Sequence, residues 1–333
     1  MGSTTLPAAG GAAAMLLVGS SAAVSAMIAD YPVLLGQALR YALAAVILLL
    51  VARRMRLPRA RLTTRELLLL LALSATGLVG FNVFLVEATR HASPAMIGSV
   101  VGAVPIVLAI AGPVLQRRRP TARLIAAAVV VTSGVVVAAG FGGASLHGVL
   151  LAIGALLCEV AFSLLAVPLL PKLGALRVAA YPAALSVIPL VIVGVAVDGA
   201  ASMRLPTPTE AVAFGYLGAI VTALAFLLWY QALHRLGADR AGLFAGLVPV
   251  GALLTTAVLG VGVVHLSHII GTLLVTIGVV VGMRPSRTDA LIESGTDDRA
   301  ASVAERRALF SKGGPHDRHP ERSGRPDRGQ PRR

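Results

Sequence analysis

Ten stretches of roughly 20 apolar residues, separated by short arginine-rich gaps, leave this chain few folds to adopt. They run at about 11–29, 33–52, 66–87, 94–115, 122–140, 147–169, 176–197, 210–232, 241–262 and 266–283. A bilayer core about 30 Å thick is crossed by roughly 20 helical residues. Inside it every backbone donor and acceptor must be paired within a helix or a closed barrel. A barrel would read as short strands alternating in polarity, and these runs are continuously apolar. The expected fold is an all-α polytopic membrane protein with ten transmembrane helices. Composition agrees, since 13% of the residues are charged where a soluble domain carries about 25%. Ala, Val, Leu and Gly supply the apolar mass and aromatics only 4%, which suits helices packed closely in lipid.

The formal charge of +14 would suit nucleic acid if it gathered on one face. It is distributed instead as a topology signal. With a cytoplasmic N-terminus, Arg53, Arg54, Arg56, Arg59, Arg61, Arg65, Arg117, Arg118, Arg119, Arg123, Lys172, Arg177, Arg235 and Arg240 all fall inside, against Arg90 and Arg204 outside. Basic residues mark the cytoplasmic side, so both termini are expected there, in the cytoplasmic (inner) membrane. A cleaved signal peptide is disfavoured because no Lys or Arg precedes the first apolar run. The single cysteine, Cys158, precludes an internal disulfide and a Cys-cluster metal site, and reads as core.

The expected organisation is a short N-terminal cytoplasmic segment at 1–10, five spans at 11–140, five at 147–283 and a basic tail at 285–333. The tail carries 11 basic and 8 acidic residues among Pro, Gly and Ser, a composition that cannot bury a core and reads as disordered.

The stretch GSVVGAVP from Gly98 is answered by GLFAGLVP from Gly242. At an offset of 144 residues, positions 87–137 align without a gap on 231–281, with 14 of 51 pairs identical, including Gly98/Gly242, Gly102/Gly246 and Pro105/Pro249. Duplication explains the shared spacing. Five is odd, so the second copy enters the membrane from the opposite side and the repeats are inverted. Inverted repeats are typical of transporters that alternate access around a central site. The two glycines of each motif let a neighbouring helix approach, and the proline releases a backbone carbonyl and permits a bend. Spans four and nine are thus candidate moving walls.

The five-plus-five layout, the arginine of GQALRYALAA, and the pair VEATRHASPAMIGSVVGAVPI and YQALHRLGADRAGLFAGLVPV resemble the EamA-type transporters of the drug/metabolite transporter superfamily. The resemblance implies ten helices, cytoplasmic termini, a cavity lined mainly by spans one, three, four, six, eight and nine, and export of small metabolites or drugs. The chain departs from the family pattern around Val18 and Cys158, where a tryptophan is common, and at Gln116 and Gly260, where an acidic residue is common.

A charge inside the bilayer costs several kcal/mol unless it has a partner or faces a water-filled cavity. Glu159 lies about twelve residues into span six, roughly 18 Å deep, and is a candidate for proton coupling or substrate binding. Arg40 lies roughly 10 Å into span two and either meets a substrate carboxylate or serves as a structural partner of Glu159 or of helix carbonyls. Glu87 stands beside Arg90 and His91 at the end of span three, where an ion pair competes with a pathway role. Asn82, Ser20, Ser21, Ser25 and Gln231 could line a cavity, although membrane serines usually bond their own backbone. Trp229 and Tyr230 read as an interfacial aromatic belt or a gate. His265 and His268 fall in an outer loop and read as solvent-exposed.

No H-E-x-x-H, G-x-S-x-G, Walker A, C-x-x-C or aspartate-rich motif occurs, and only seven acidic residues precede the tail. That leaves little for a membrane enzyme. No cofactor or metal is expected. The expected function is a secondary transporter exporting an amino-acid-like metabolite or amphiphilic cation, coupled to protons. A lipid or lipid-linked sugar carrier and an uncoupled facilitator remain alternatives. Expected partners are the small-molecule substrate and membrane lipid, with no nucleic acid; a homodimer is compatible with the layout.

Overall fold

The computed structural model describes residues 2–58, 60–140, 142–259 and 265–283. The basic tail and Gly260 lie outside the described residues. Ten described helices are long and apolar enough to cross a membrane: α1 Thr5–Ile28, α2 Val33–Arg54, α3 Thr64–Ala88, α4 Pro94–Leu115, α5 Ala122–Ala139, α6 Leu146–Leu164, α7 Leu170–Asp198, α8 Pro208–Leu236, α9 Ala238–Val258 and α10 Leu266–Met283. Each expected span contains one. Two ends differ from expectation. The first helix already starts at Gly2, so residues 2–10 continue α1 rather than preceding it. Pro7, the sixth residue of that helix, has no N–H and leaves one internal hydrogen bond unmade. The seventh helix begins before its expected start and turns at Gly174, whose φ of 72° suits a residue without a side chain.

Polar caps set the helix starts. The Thr63 hydroxyl accepts the Glu66 N–H while the Glu66 carboxylate accepts the Thr63 N–H, and Thr207 and Glu210 repeat that capping box. The two boxes are 144 positions apart, so the duplication reaches back beyond the matched stretch. Both α3 and α8 then widen into a π-helical segment, Ser74–Gly80 and Leu217–Leu224.

The packing obeys the same symmetry. Helix α5 packs on α10 and α2 on α7, while α1 packs on α8 and α9 as α6 packs on α3 and α4. Exchanging every helix for the one five places along leaves these pairings unchanged. The fold is therefore two inverted five-helix repeats. At the α5–α10 contact a Cβ on Gly134 would lie 2.7 Å from the Gly271 carbonyl oxygen. At the symmetry-related point one on Gly278 would lie 3.0 Å from that of Ala127. Lipid offers no hydrophobic drive for helix association, so close backbone approach at small residues provides the cohesion. Large apolar side chains such as Leu68, Ile188 and Val212 are exposed on the outside of the bundle, as a hydrocarbon environment requires.

Candidate functional site

The repeated glycine–proline motif breaks two helices. Helix α4 consists of Pro94–Val101 and Val104–Leu115, and α9 passes through a 3-10 stretch at Gly242–Leu247. Pro105 and Pro249 lie just beyond the breaks. Lacking N–H groups, they cannot bond the carbonyls of Val101 and Ala245 four residues earlier.

These breaks border a cavity of about 420 Å³ walled by α1, α2, α3, α4, α6, α8 and α9, with Val135 of α5. It contains every span the resemblance implied and adds α2, through Gln37, Arg40 and Tyr41, and α5, through Val135. Gly98, Gly102, Pro105 and Pro249 stand on its wall. Gly242 and Gly246 pack instead, Gly242 on Leu108 and Gly246 on Val131. A smaller chamber of about 100 Å³ shares Ser25, Gln37 and Arg40 with the cavity and extends toward Tyr31 and Phe214 at the α1–α2 turn.

The cavity is closed on the face carrying the arginine-rich turns. There the second half of α4 beds on the start of α9: a Cβ on Gly242 would meet Leu108 at 2.8 Å, and one on Gly112 would meet Ala238 at 3.2 Å. Shifted by 144, the counterpart of the Leu108–Gly242 contact pairs Ala252 with Gly98. These residues are apart: both line the cavity, and a Cβ on Gly98 meets only Ala139, at 3.5 Å. One state thus holds two different packings of the same motif.

Aromatic rings cluster on the cavity wall, which includes Phe162, Phe226 and Trp229. Phe162 and Phe226 are 4.9 Å apart, and Tyr230 stands 5.2 Å from Phe162 and 6.4 Å from Phe226. Trp229 and Tyr230 are buried at 3% and 0% exposure, so neither stands in the expected interfacial belt. They face inward because α8 packs on both α1 and α7 at this level, leaving that side of it no route to lipid. The buried Tyr230 hydroxyl has no hydrogen-bond partner among the described residues.

Glu159 is half-buried on the cavity wall. Asn82 also lines the cavity and donates to the Tyr41 hydroxyl at 3.0 Å and to the Leu78 carbonyl at 2.6 Å. Arg40 Nε donates to Thr222 Oγ1 at 2.5 Å, and its guanidinium carbon lies 5.7 Å from the centre of the Tyr41 ring. Arg40 and Glu159 form no ion pair, and Arg40 bonds no helix carbonyl, among the described residues. Both structural partners considered for it are thus corrected; α2 packs on α7 and α8 rather than on α6.

Other candidates separate cleanly. Glu87 pairs with Arg90 at 3.1 Å and His91 at 3.4 Å on the exposed end of α3, off the cavity wall. Gln231 is exposed on the opposite side of α8. Ser20 and Ser21 donate to the carbonyls of Leu17 and Val18, while Ser21 and Ser25 still border the cavity. Cys158 is buried. His265 is exposed, while His268 is half-buried in the first turn of α10 and its Nδ1 accepts the His265 N–H. Sequence reasoning passed over Tyr41, Thr222, Phe162 and Phe226. The threonine carried a usable signal, a polar residue inside LGAIVTALAF; the aromatic rings had none.

Leucine at Gly102 or Gly246 would collide with Val135 or Val131. Each is expected to cost about 1–3 kcal/mol and to stop transport, as read by thermal melting and flux. Normal transport by both variants would refute a moving role for α4 and α9.

Comparison with known proteins gives a consistent result. The EamA-like transporter family matches twice, at residues 7–140 and 146–283. The uncharacterized transporter YetK of Bacillus subtilis (strain 168) is 27% identical over 278 residues, covering 81% of this chain and 84% of that protein. A solved crystal structure superposes with a TM-score of 0.71 at 19% identity, covering 84% of this chain and 98% of that one, a likeness of fold. With both halves matched, the chain belongs to the EamA-like transporter family and is a multi-pass membrane transporter.

Proposed function

We propose that this transporter exports a small metabolite or drug bearing a cationic group from the cytoplasm, by alternating access and in exchange for protons. The termini and the arginine face are cytoplasmic, in the cytoplasmic membrane, as the distribution of basic residues favours. The observation that carries the reading is Glu159, a carboxylate on the cavity wall with no cationic side chain bound to it among the described residues. Such a group can hold either a proton or a substrate cation, and that competition is the simplest coupling device. Proton occupancy from the opposite side releases the substrate, and loss of the proton to the cytoplasm readmits one.

A screen of cells expressing the protein, challenged with amino acids, their analogues and cationic drugs, tests this. Selective resistance with lowered cellular content of one cationic or zwitterionic class is expected; accumulation of every responding compound would reverse the direction. Orientation is checked alongside, since a Ser145→Cys variant should react with an impermeant maleimide in intact cells and an Arg118→Cys variant should not.

A further inference from the structure

Arg40 is an arginine within a membrane-spanning helix that no carboxylate neutralises among the described residues, and it faces both the main cavity and the side chamber. We propose that it forms a subsite for the carboxylate group of the transported molecule, with Thr222 as the residue that positions it. The proposal rests on the functional reading above and deepens it, because it selects substrates carrying an acidic group over amphiphilic cations that lack one.

The orientation of Arg40 follows from the local backbone. Thr222 lies in the π-helical stretch Leu217–Leu224 and donates its single hydroxyl proton to the Leu217 carbonyl at 2.9 Å. That commits the remaining lone pairs of Oγ1 to acceptance, and Arg40 Nε donates into them at 2.5 Å. Held through Nε, the guanidinium keeps its two terminal nitrogens for another acceptor. Nη1 has only a 3.5 Å contact with Gln37 Oε1, and Nη2 has no protein partner among the described residues. Two parallel N–H groups match the two oxygens of a carboxylate, a pairing stronger than a neutral hydrogen bond. Gln37 stands beside them on the same wall. Without such a ligand the charge is left to solvent within the membrane, which is costly. Glu159 borders the same cavity and makes no ion pair with Arg40, so a molecule with both charges can meet both residues.

Trp229 is the only tryptophan of the chain and lines the cavity, so its fluorescence reports binding in purified protein. The probes are leucine, leucinamide, 4-methylpentanoate and chloride. Leucine and 4-methylpentanoate should change the emission, and leucine should bind more tightly than leucinamide. Arg40→Gln should weaken both carboxylate probes by roughly tenfold or more and leave leucinamide unchanged. Thr222→Val should weaken the same two probes and Thr222→Ser restore them, a pattern that a merely structural hydroxyl would not give. Chloride should not compete; competition equal to that of 4-methylpentanoate would show a general anion site and overturn the carboxylate assignment. Equal carboxylate binding by Arg40→Gln, or no carboxylate response in native protein that still exports a cation through Glu159, would overturn it while leaving the functional reading intact. Cellular export insensitive to Glu159→Gln would instead strike that reading.

Discussion

A Glu159→Gln protein is expected to fold but to lose all proton-driven transport. The substitution keeps the size and hydrogen-bonding capacity of the side chain and removes its titration. In proteoliposomes with a pH gradient, uphill movement of substrate should disappear, and exchange of labelled for unlabelled substrate should weaken as well, because the neutral amide stands in for the protonated state that releases the cation. Because Arg40 is bound to Thr222 rather than to Glu159, the variant should also melt near the native temperature, and adding Arg40→Gln should give no rescue. Undiminished gradient-driven transport by well-folded Glu159→Gln would remove the carboxylate from the coupling scheme and leave a facilitator or another coupling group.

The second large effect concerns the two packings of the repeated motif. If the inverted halves exchange roles, the contact that now closes the arginine face must reappear at its 144-shifted counterpart on the other face. Cross-linking in a Cys158→Ser background, which removes the single native thiol, distinguishes the two states. Leu108→Cys with Gly242→Cys should form a disulfide in the described conformation, since these positions already touch. Gly98→Cys with Ala252→Cys, now on the cavity wall, should cross-link only after the transition closes the opposite face. Either bond should abolish transport, and reduction should restore it, because each freezes one half of the cycle. Steady turnover with the oxidised Leu108/Gly242 pair, or failure of the Gly98/Ala252 pair ever to form while transport continues, would exclude the exchange of roles. Both outcomes are geometric, since a disulfide needs Cα atoms within about 7 Å.

Helix number, inverted symmetry and the positions of the helix breaks were legible in the sequence because each rests on a local or periodic property. An apolar run must be helical in lipid whatever it touches. A recurrent Gly and Pro spacing keeps its meaning when the chain folds, as the breaks of α4 and α9 at Gly102 and Gly242–Leu247 illustrate. The capping boxes at Thr63 and Thr207 were equally readable, and would have extended the repeat by one span in each half.

The depth of Glu159 could also be counted along a helix, but its partners could not. Which wall faces which is decided by helix rotation and crossing, fixed by close contacts such as Gly134 on Gly271 between residues far apart in the chain. Only the tertiary structure separates Arg40 from Glu159 and gives it Thr222, moves Glu87 off the pathway, and turns Trp229 and Tyr230 from a membrane belt into buried residues. The amino-acid sequence by itself determined that this chain crosses a membrane ten times in two opposed halves, because burial in hydrocarbon constrains each segment independently. The tertiary structure decided which polar groups share the cavity and which face is closed, because those depend on how all ten helices pack at once.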